Sequence, residues 1–196
     1  MYRRLGKRAF DFLAALIGLL VLSVPIGIIA LFMWLTSGRP ILFVQDRVGK
    51  DERLFRVKKF RTMRIREDPD STVTLSGDER VTLIGRFLRR FKLDELPQLW
   101  NVLVGEMSFV GPRPDVPGYA DKLQGDARRI LSLRPGITGP ATLAYRNEEE
   151  ILAQVDDPVK YNDEVIYPDK VRLNLQYLDE CSFTKDLHYI WKTIFP

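Results

Sequence analysis

A chain of 196 residues and 22.7 kDa has room for one domain around a single core, and that excludes a large multidomain assembly. Hydrophobic residues make up 45% and charged residues 29%, and a mean hydropathy of −0.13 argues against both a polytopic membrane protein and a disordered chain. The single cysteine, Cys181, permits no internal disulfide, and the single histidine, His188, leaves little for a His/Cys metal site or a His-based triad, so chemistry run by carboxylates, Lys and Arg remains open.

The average conceals a segregation. No charged side chain occurs from Phe12 to Leu35, while the rest of the chain holds all of the 30 Lys and Arg and 26 Asp and Glu, with a net charge of +4 and a pI near 9.2. As a straight helix of roughly 24 residues this run would rise about 36 Å, enough to cross the hydrocarbon core. It is too long for the apolar part of a signal peptide, and no small-residue cleavage site follows it. Pro25 sits near the middle with Gly27 close behind; proline removes a backbone hydrogen bond and crowds the preceding turn, and Ser23 is placed to satisfy a freed backbone group. Arg3, Arg4, Lys7 and Arg8 precede the run, and Arg39, Arg47 and Lys50 follow it. The positive-inside rule then assigns both flanks to the cytoplasm, which a helix-break-helix dipping into one leaflet satisfies and a spanning helix does not. A tilted, kinked anchor is the alternative.

After the Ser37 to Pro40 break, Ile41 to Gln45 and Leu54 to Phe60 read as strands of a hairpin with a long charged connection from Asp46 to Arg53. Residues Met63 to Arg80 carry turn signals and predict a loop. From Val81 to Phe91 the apolar residues fall at helical spacing with Arg86, Arg89 and Arg90 between them, giving a basic amphipathic helix suited to anionic headgroups or to ordinary core packing. A second helix is predicted from Asp94 to Val104, ended by Gly105, with acids and Pro97 in its first turn. Rigid turns then present Arg113 and Arg134, Glu148 to Asp157 is acidic, and helices are predicted over Val165 to Leu178 and Asp186 to Phe195. The fold class is α+β, mostly helical with a small β-hairpin, a re-entrant N-terminal element and interfacial amphipathic helices.

The chemistry centres on Asp94 and Glu95. Adjacent carboxylates cannot share one helix face, so one can act as nucleophile while the other holds a divalent cation, and magnesium suits hard oxygen ligands completed by substrate phosphates. Helix capping is the plainer reading of the same pair. Lys59, Arg61 and Arg64 cluster after the second strand, and Arg113 and Arg134 are held between prolines and glycines, which preorganises cations toward phosphate. Surface salt bridging is the plainer reading of these cations. The positive charge forms no continuous stripe and no nucleic-acid module is apparent, so nucleic acid is not expected as a partner.

Three ordered motifs carry a resemblance: KFRTM from Lys59 to Met63, LDELPQLWNVLVGEMSFVGPRP from Leu93 to Pro114, and RPGITG from Arg134 to Gly139. With the N-terminal hydrophobic element, the chain resembles the bacterial sugar transferases, or monotopic phosphoglycosyl transferases, in their small PglC-type form, from Tyr2 to about Phe195. The resemblance implies transfer of a sugar 1-phosphate from a UDP-sugar to a polyprenol (undecaprenyl) phosphate with release of UMP at the cytoplasmic face of the bacterial inner membrane. It implies Asp94 as the nucleophile of a covalent phosphosugar intermediate and Glu95 as the residue that helps bind Mg2+. Lys59, Arg89 and Arg113 would contact phosphates or position the carboxylates, and Arg134 to Gly139, including Thr138, would form a nucleotide-side loop. Residues 1–38 would be the re-entrant membrane element and 39–196 the cytoplasmic catalytic domain, with both termini cytoplasmic. The family's helix often breaks at adjacent Ser-Pro; here Val24 separates Ser23 from Pro25. Membrane lipid is an implied partner, with downstream glycosyltransferases and a second copy of the chain left open. Two rivals remain: an anchored hydrolase that passes the phosphoryl group to water, and a non-catalytic scaffold.

Overall fold

The computed structural model describes residues 2–64 and 80–195. The chain starts with a helical turn, Tyr2–Gly6, and continues as α1 (Lys7–Val21) and α2 (Ser23–Ser37), which meet at 60° across Leu22. The break precedes Pro25. Proline crowds the carbonyl four residues back, that of Val21, so α1 ends there and Pro25 takes a place in the first turn of α2, where no N–H is needed. The Ser23 hydroxyl donates to the Leu20 carbonyl at 2.8 Å, one of the acceptors left over at the end of α1. Among the described residues no single helix is long and apolar enough to cross a membrane; the bent pair has the necessary length and composition only when taken together. On α2, Val24, Ile28, Leu31 and Leu35 turn outward and only Met33 is buried, the reverse of a helix packed into a water-soluble body. α1 has two faces: Lys7, Asp11 and Ala15, four residues apart, are buried, while Leu13, Ile17, Leu20 and Val21 are exposed.

β1 (Leu42–Val48) and β2 (Leu54–Phe60) pair antiparallel, in register from Leu42 opposite Phe60 to Val48 opposite Leu54. The first strand runs farther than its apolar pattern predicts. Asp46 lies opposite Arg56, and such a cross-strand pair keeps charged residues in the ladder. The connection shortens to 49–53, with Asp51 and Glu52 at φ of 54° and 63° making the tight reversal. Phe55 and Val57 of β2 pack with Ala15, Val102 and Met107, so α1 contributes to the central core.

α3 (Leu83–Arg90) starts on a Thr82 cap, whose Oγ1 accepts from the Gly85 N–H at 3.0 Å, and buries Leu88 while Leu83 and Phe87 remain exposed. The expected loop over residues 65–79 lies outside the described residues. The helix expected to start at Asp94 is split. Asp94 and Glu95 sit on a separate 3-10 turn, Leu93–Glu95, and α4 (Gln98–Val104) begins only after Pro97, which has no N–H to offer the Leu93 carbonyl.

β3 (Ser108–Val110) pairs in parallel with β4 (Gly136–Thr138), where sequence shows only two Pro/Gly turns. The backbones touch: a Cβ on Gly111 would lie 2.3 Å from the Arg134 carbonyl oxygen, so only glycine fits. Helical turns Ala120–Lys122 and Gly125–Ser132 fill the connection between these strands. α5 (Pro140–Ala144), α6 (Glu148–Leu152) and α7 (Pro158–Tyr161) then lead to α8 (Tyr167–Glu180), which buries Val171, Asn174, Tyr177 and Leu178. α9 (Phe183–Ile194), capped by Ser182, leaves Leu187, Trp191 and Ile194 exposed. The chain is therefore α+β, mostly helical with small sheets, as its residue pattern indicates.

Candidate active site

Three of the expected residues meet at Glu95. Lys59, near the end of β2, donates from Nζ to Glu95 Oε1 at 2.8 Å, and the Arg113 guanidinium reaches the same oxygen at 3.2 Å from the turn after β3. Glu95 is buried, whereas 46% of the Arg113 side chain stays exposed, so Arg113 keeps donors free for an incoming anion. Asp94 is also buried, and its Oδ1 has no hydrogen-bond partner among the described residues. An orphaned carboxylate oxygen is costly to keep in a folded protein, and one beside a cation-paired Glu95 is a candidate for a catalytic or ligand-binding role.

The electrostatics drive the two carboxyls apart. Burial would raise Glu95, but Arg113 and Lys59 outweigh it and hold the group down at about 2. Asp94 is raised, first by burial and then by the Glu95 charge, against the pull of Lys59, Lys92 and Arg89. Glu95 is thus a permanent anion, and Asp94 is the group whose charge state answers to its surroundings.

The other predicted residues go elsewhere. Arg89, at the end of α3, lies close enough to act on Asp94 by charge, but its guanidinium bonds Glu149 at 2.8 Å. Arg134 donates from Nε to the Gly105 carbonyl at 2.8 Å, at the end of α4 remote from the carboxylates. The Thr138 hydroxyl is buried against Thr193 of α9 at 2.6 Å. Ser23 and Pro25 lie at the helix break described above.

Sequence reasoning missed Asn101. Fully buried on α4, its side chain accepts from the Lys58 N–H at 3.1 Å and donates to the Arg56 carbonyl at 2.8 Å, fixing α4 and its leading carboxylate turn against the strand that carries Lys59. A polar residue among Leu99, Val102 and Leu103 was the available signal.

The match to known proteins spans this whole arrangement. A family model described as bacterial sugar transferase matches residues 2–196. The chain belongs to the bacterial sugar transferase family. Among its relatives, the UDP-glucose:undecaprenyl-phosphate glucose-1-phosphate transferase of Escherichia coli is 38% identical over 98% of the chain and 40% of the relative. The UDP-N-acetylgalactosamine-undecaprenyl-phosphate N-acetylgalactosaminephosphotransferase of Aeromonas hydrophila is 34% identical over 96% of the chain and 42% of the relative. The exopolysaccharide production protein ExoY of Rhizobium meliloti is 34% identical over 97% of the chain and 84% of the relative. The chain spans about two fifths of the length of the first two.

Behind Arg113 lies a further, half-buried acid that the motifs do not announce. Asp115 accepts from the Tyr167 hydroxyl at 3.1 Å. Burial pushes Asp115 up to about 6, while the Tyr167 bond and then Lys170, Arg47 and Arg113 pull the other way. The folded form therefore holds this proton more tightly than the unfolded chain, whose ordinary value is 3.8, and the resulting stability is full at low pH and lost as pH rises through about 6. Relative to Asp115→Asn, which cannot ionise, the wild type should lose about 2 kcal/mol between pH ~4 and pH ~7. Thermal unfolding of both proteins in detergent across that range checks this; a difference that does not vary with pH contradicts it.

Proposed function

We propose that the chain transfers a sugar 1-phosphate from a UDP-sugar to a polyprenol phosphate at the cytoplasmic face of the membrane, starting a membrane-linked glycan. The observation that carries this reading is Asp94, buried with an unpartnered oxygen beside a Glu95 already paired to two cations. The relatives' names support the donor and acceptor classes. An Asp94 carboxylate oxygen attacks the sugar-bearing phosphorus; as that P–O bond forms, the bond to the bridging oxygen breaks and UMP leaves with the electron pair. An oxygen of the polyprenol phosphate then attacks the same phosphorus, which frees the Asp94 carboxylate and yields a polyprenyl diphosphosugar. Arg113 offsets charge on the donor phosphates, Arg89 adds positive potential near Asp94, and Lys59 keeps Glu95 in place.

The donor set fits magnesium: the oxygens are hard and one is orphaned. Glu95 and Asp94 would hold the ion together with donor phosphates, and when bound it neutralises diphosphate charge. In this reading α1 and α2 enter and leave one leaflet, and the exposed apolar side chains of α2, α3 and α9 face lipid. A soluble donor and a lipid-tethered acceptor then reach Asp94 from opposite sides of the interface.

The test is incubation of the purified protein with undecaprenyl phosphate and UDP-glucose, UDP-galactose or UDP-N-acetylgalactosamine. UMP and a lipid diphosphosugar are the expected products; free sugar phosphate as the sole product would establish a hydrolase instead.

A further inference from the structure

Lys7 and Arg8 read in sequence as topology signals, yet both are turned into the protein. Lys7 pairs with Asp186 of α9 at 2.5 Å. Arg8 donates from its two terminal nitrogens to the carbonyls of Val102 and Leu103, each at 2.7 Å, and so caps the C-terminal end of α4. One turn along, Asp11 is 1% exposed and accepts from the Ser108 hydroxyl and the Phe109 N–H, both at 3.1 Å, at the start of β3. Arg8 and Asp11 have opposite charges at i and i+3, the spacing at which such residues pair with each other on a helix. Each instead bonds outward to a different element.

Those two elements lead to the two halves of the active site. α4 follows directly on the turn bearing Asp94 and Glu95, and β3 leads through Gly111 and Pro112 to Arg113. Their far ends are held one turn apart on α1, and their near ends meet where Arg113 reaches Glu95 at 3.2 Å. Neither piece has slack: Asn101 ties α4 to β2, and β3 is paired to β4.

We propose that Arg8 and Asp11 are positioning residues for the reaction, pegging the carboxylate turn and the Arg113 turn to adjacent points on the membrane helix, so that the seating of α1 sets the spacing between nucleophile and phosphate clamp. The proposal rests on the transferase reading for its kinetic consequence but not for the pegging itself. The two pegs have separable effects. Loss of the Arg8 bonds displaces the nucleophile and lowers kcat, whereas loss of the Asp11 bonds displaces Arg113 and raises the KM for the donor.

The experiment compares the wild type with Arg8→Met and Asp11→Leu, using as donor whichever of UDP-glucose, UDP-galactose and UDP-N-acetylgalactosamine gives most UMP. A displacement of about 1 Å can cost on the order of 10^2-fold in rate. With the helix held elsewhere by Lys7, smaller effects of about 10-fold are expected: in kcat alone for Arg8→Met, and in donor KM for Asp11→Leu. Asp11→Asn, whose amide oxygen still accepts both bonds, restores the KM. Arg8→Lys, retaining one donor, gives a weaker form of the Arg8→Met pattern and serves if the latter does not fold. Hydrogen exchange supplies the second readout: faster exchange confined to 101–107 in the Arg8 variants and to 108–113 in Asp11→Leu. Equal loosening of both segments, or identical kinetic changes in both variants, overturns the proposal and leaves α1 a general fold contact. Segment-specific exchange in a protein that turns over no UDP-sugar upholds the pegging and sinks the transferase reading.

Discussion

Replacing Asp94 with asparagine is expected to lower UMP release from a UDP-sugar by about 10^3-fold or more and to abolish any covalent phosphosugar adduct. The amide has the shape of the carboxyl but no anionic oxygen to attack phosphorus, and no neighbouring acid can replace it, because Glu95 is already committed to Lys59 and Arg113. The variant should fold at least as well as the wild type. Burial and the Glu95 charge both disfavour the ionised Asp94, so a neutral side chain there relieves a native-state cost. Intact-protein mass after incubation with donor alone distinguishes the two: the wild type gains a sugar phosphate and Asp94→Asn gains nothing. Full turnover by Asp94→Asn would remove Asp94 as nucleophile.

The largest loss of stability is expected from Asp186→Ala. Asp186 is fully buried and accepts from Lys7 and Tyr177 at 2.5 Å and from Tyr2 at 2.6 Å, so one substitution takes the paired carboxylate from a buried ammonium and an acceptor from two hydroxyls. Removing one partner of a buried ion pair costs about 3–5 kcal/mol. In a domain of this size that lowers Tm by on the order of 10 °C. Lys7→Met combined with Asp186→Leu should regain more than half of the loss, because the double variant leaves no unpaired charge. Thermal unfolding in detergent measures both, and a double variant no more stable than Asp186→Ala would show that the ammonium is not the source of the penalty.

The local parts of this protein are readable from its residues. The apolar spacing marks α3, α8 and α9 to within a few residues, and Pro25 marks the helix break. The site is readable only where the motifs are dense: Lys59, Glu95 and Arg113 come together although Lys59 and Glu95 are 36 residues apart and Arg113 is 18 beyond. What escapes is the destination of a charged side chain. Arg8, Arg134 and Arg113 look alike in sequence, yet two cap the end of α4 and one faces the carboxylates, because the difference lies in partners brought near by the fold. Asp11 and Ser108 meet across 97 residues, and no local period encodes that contact. β3 and β4 are too short to show alternation, and their glycines read equally well as turns.

The junction between β2 and α3 has a consequence for how this chain can vary. The Arg64 N–H donates to the Arg80 carbonyl at 2.9 Å, the Thr82 N–H to the Thr62 carbonyl at 3.0 Å, and Met63 bridges Val81. Gly85 sits so tightly on this clasp that a Cβ would lie 2.1 Å from the Thr62 carbonyl oxygen. Residues 62–64 and 80–82 are therefore fastened to each other, and the clasp sets Lys59 at the end of β2 relative to Arg89 on α3. Displacing either side of the clasp carries one of the two cations with it, so residues 62–64 and 80–85 are held to the active-site geometry as closely as the strand and the helix they join.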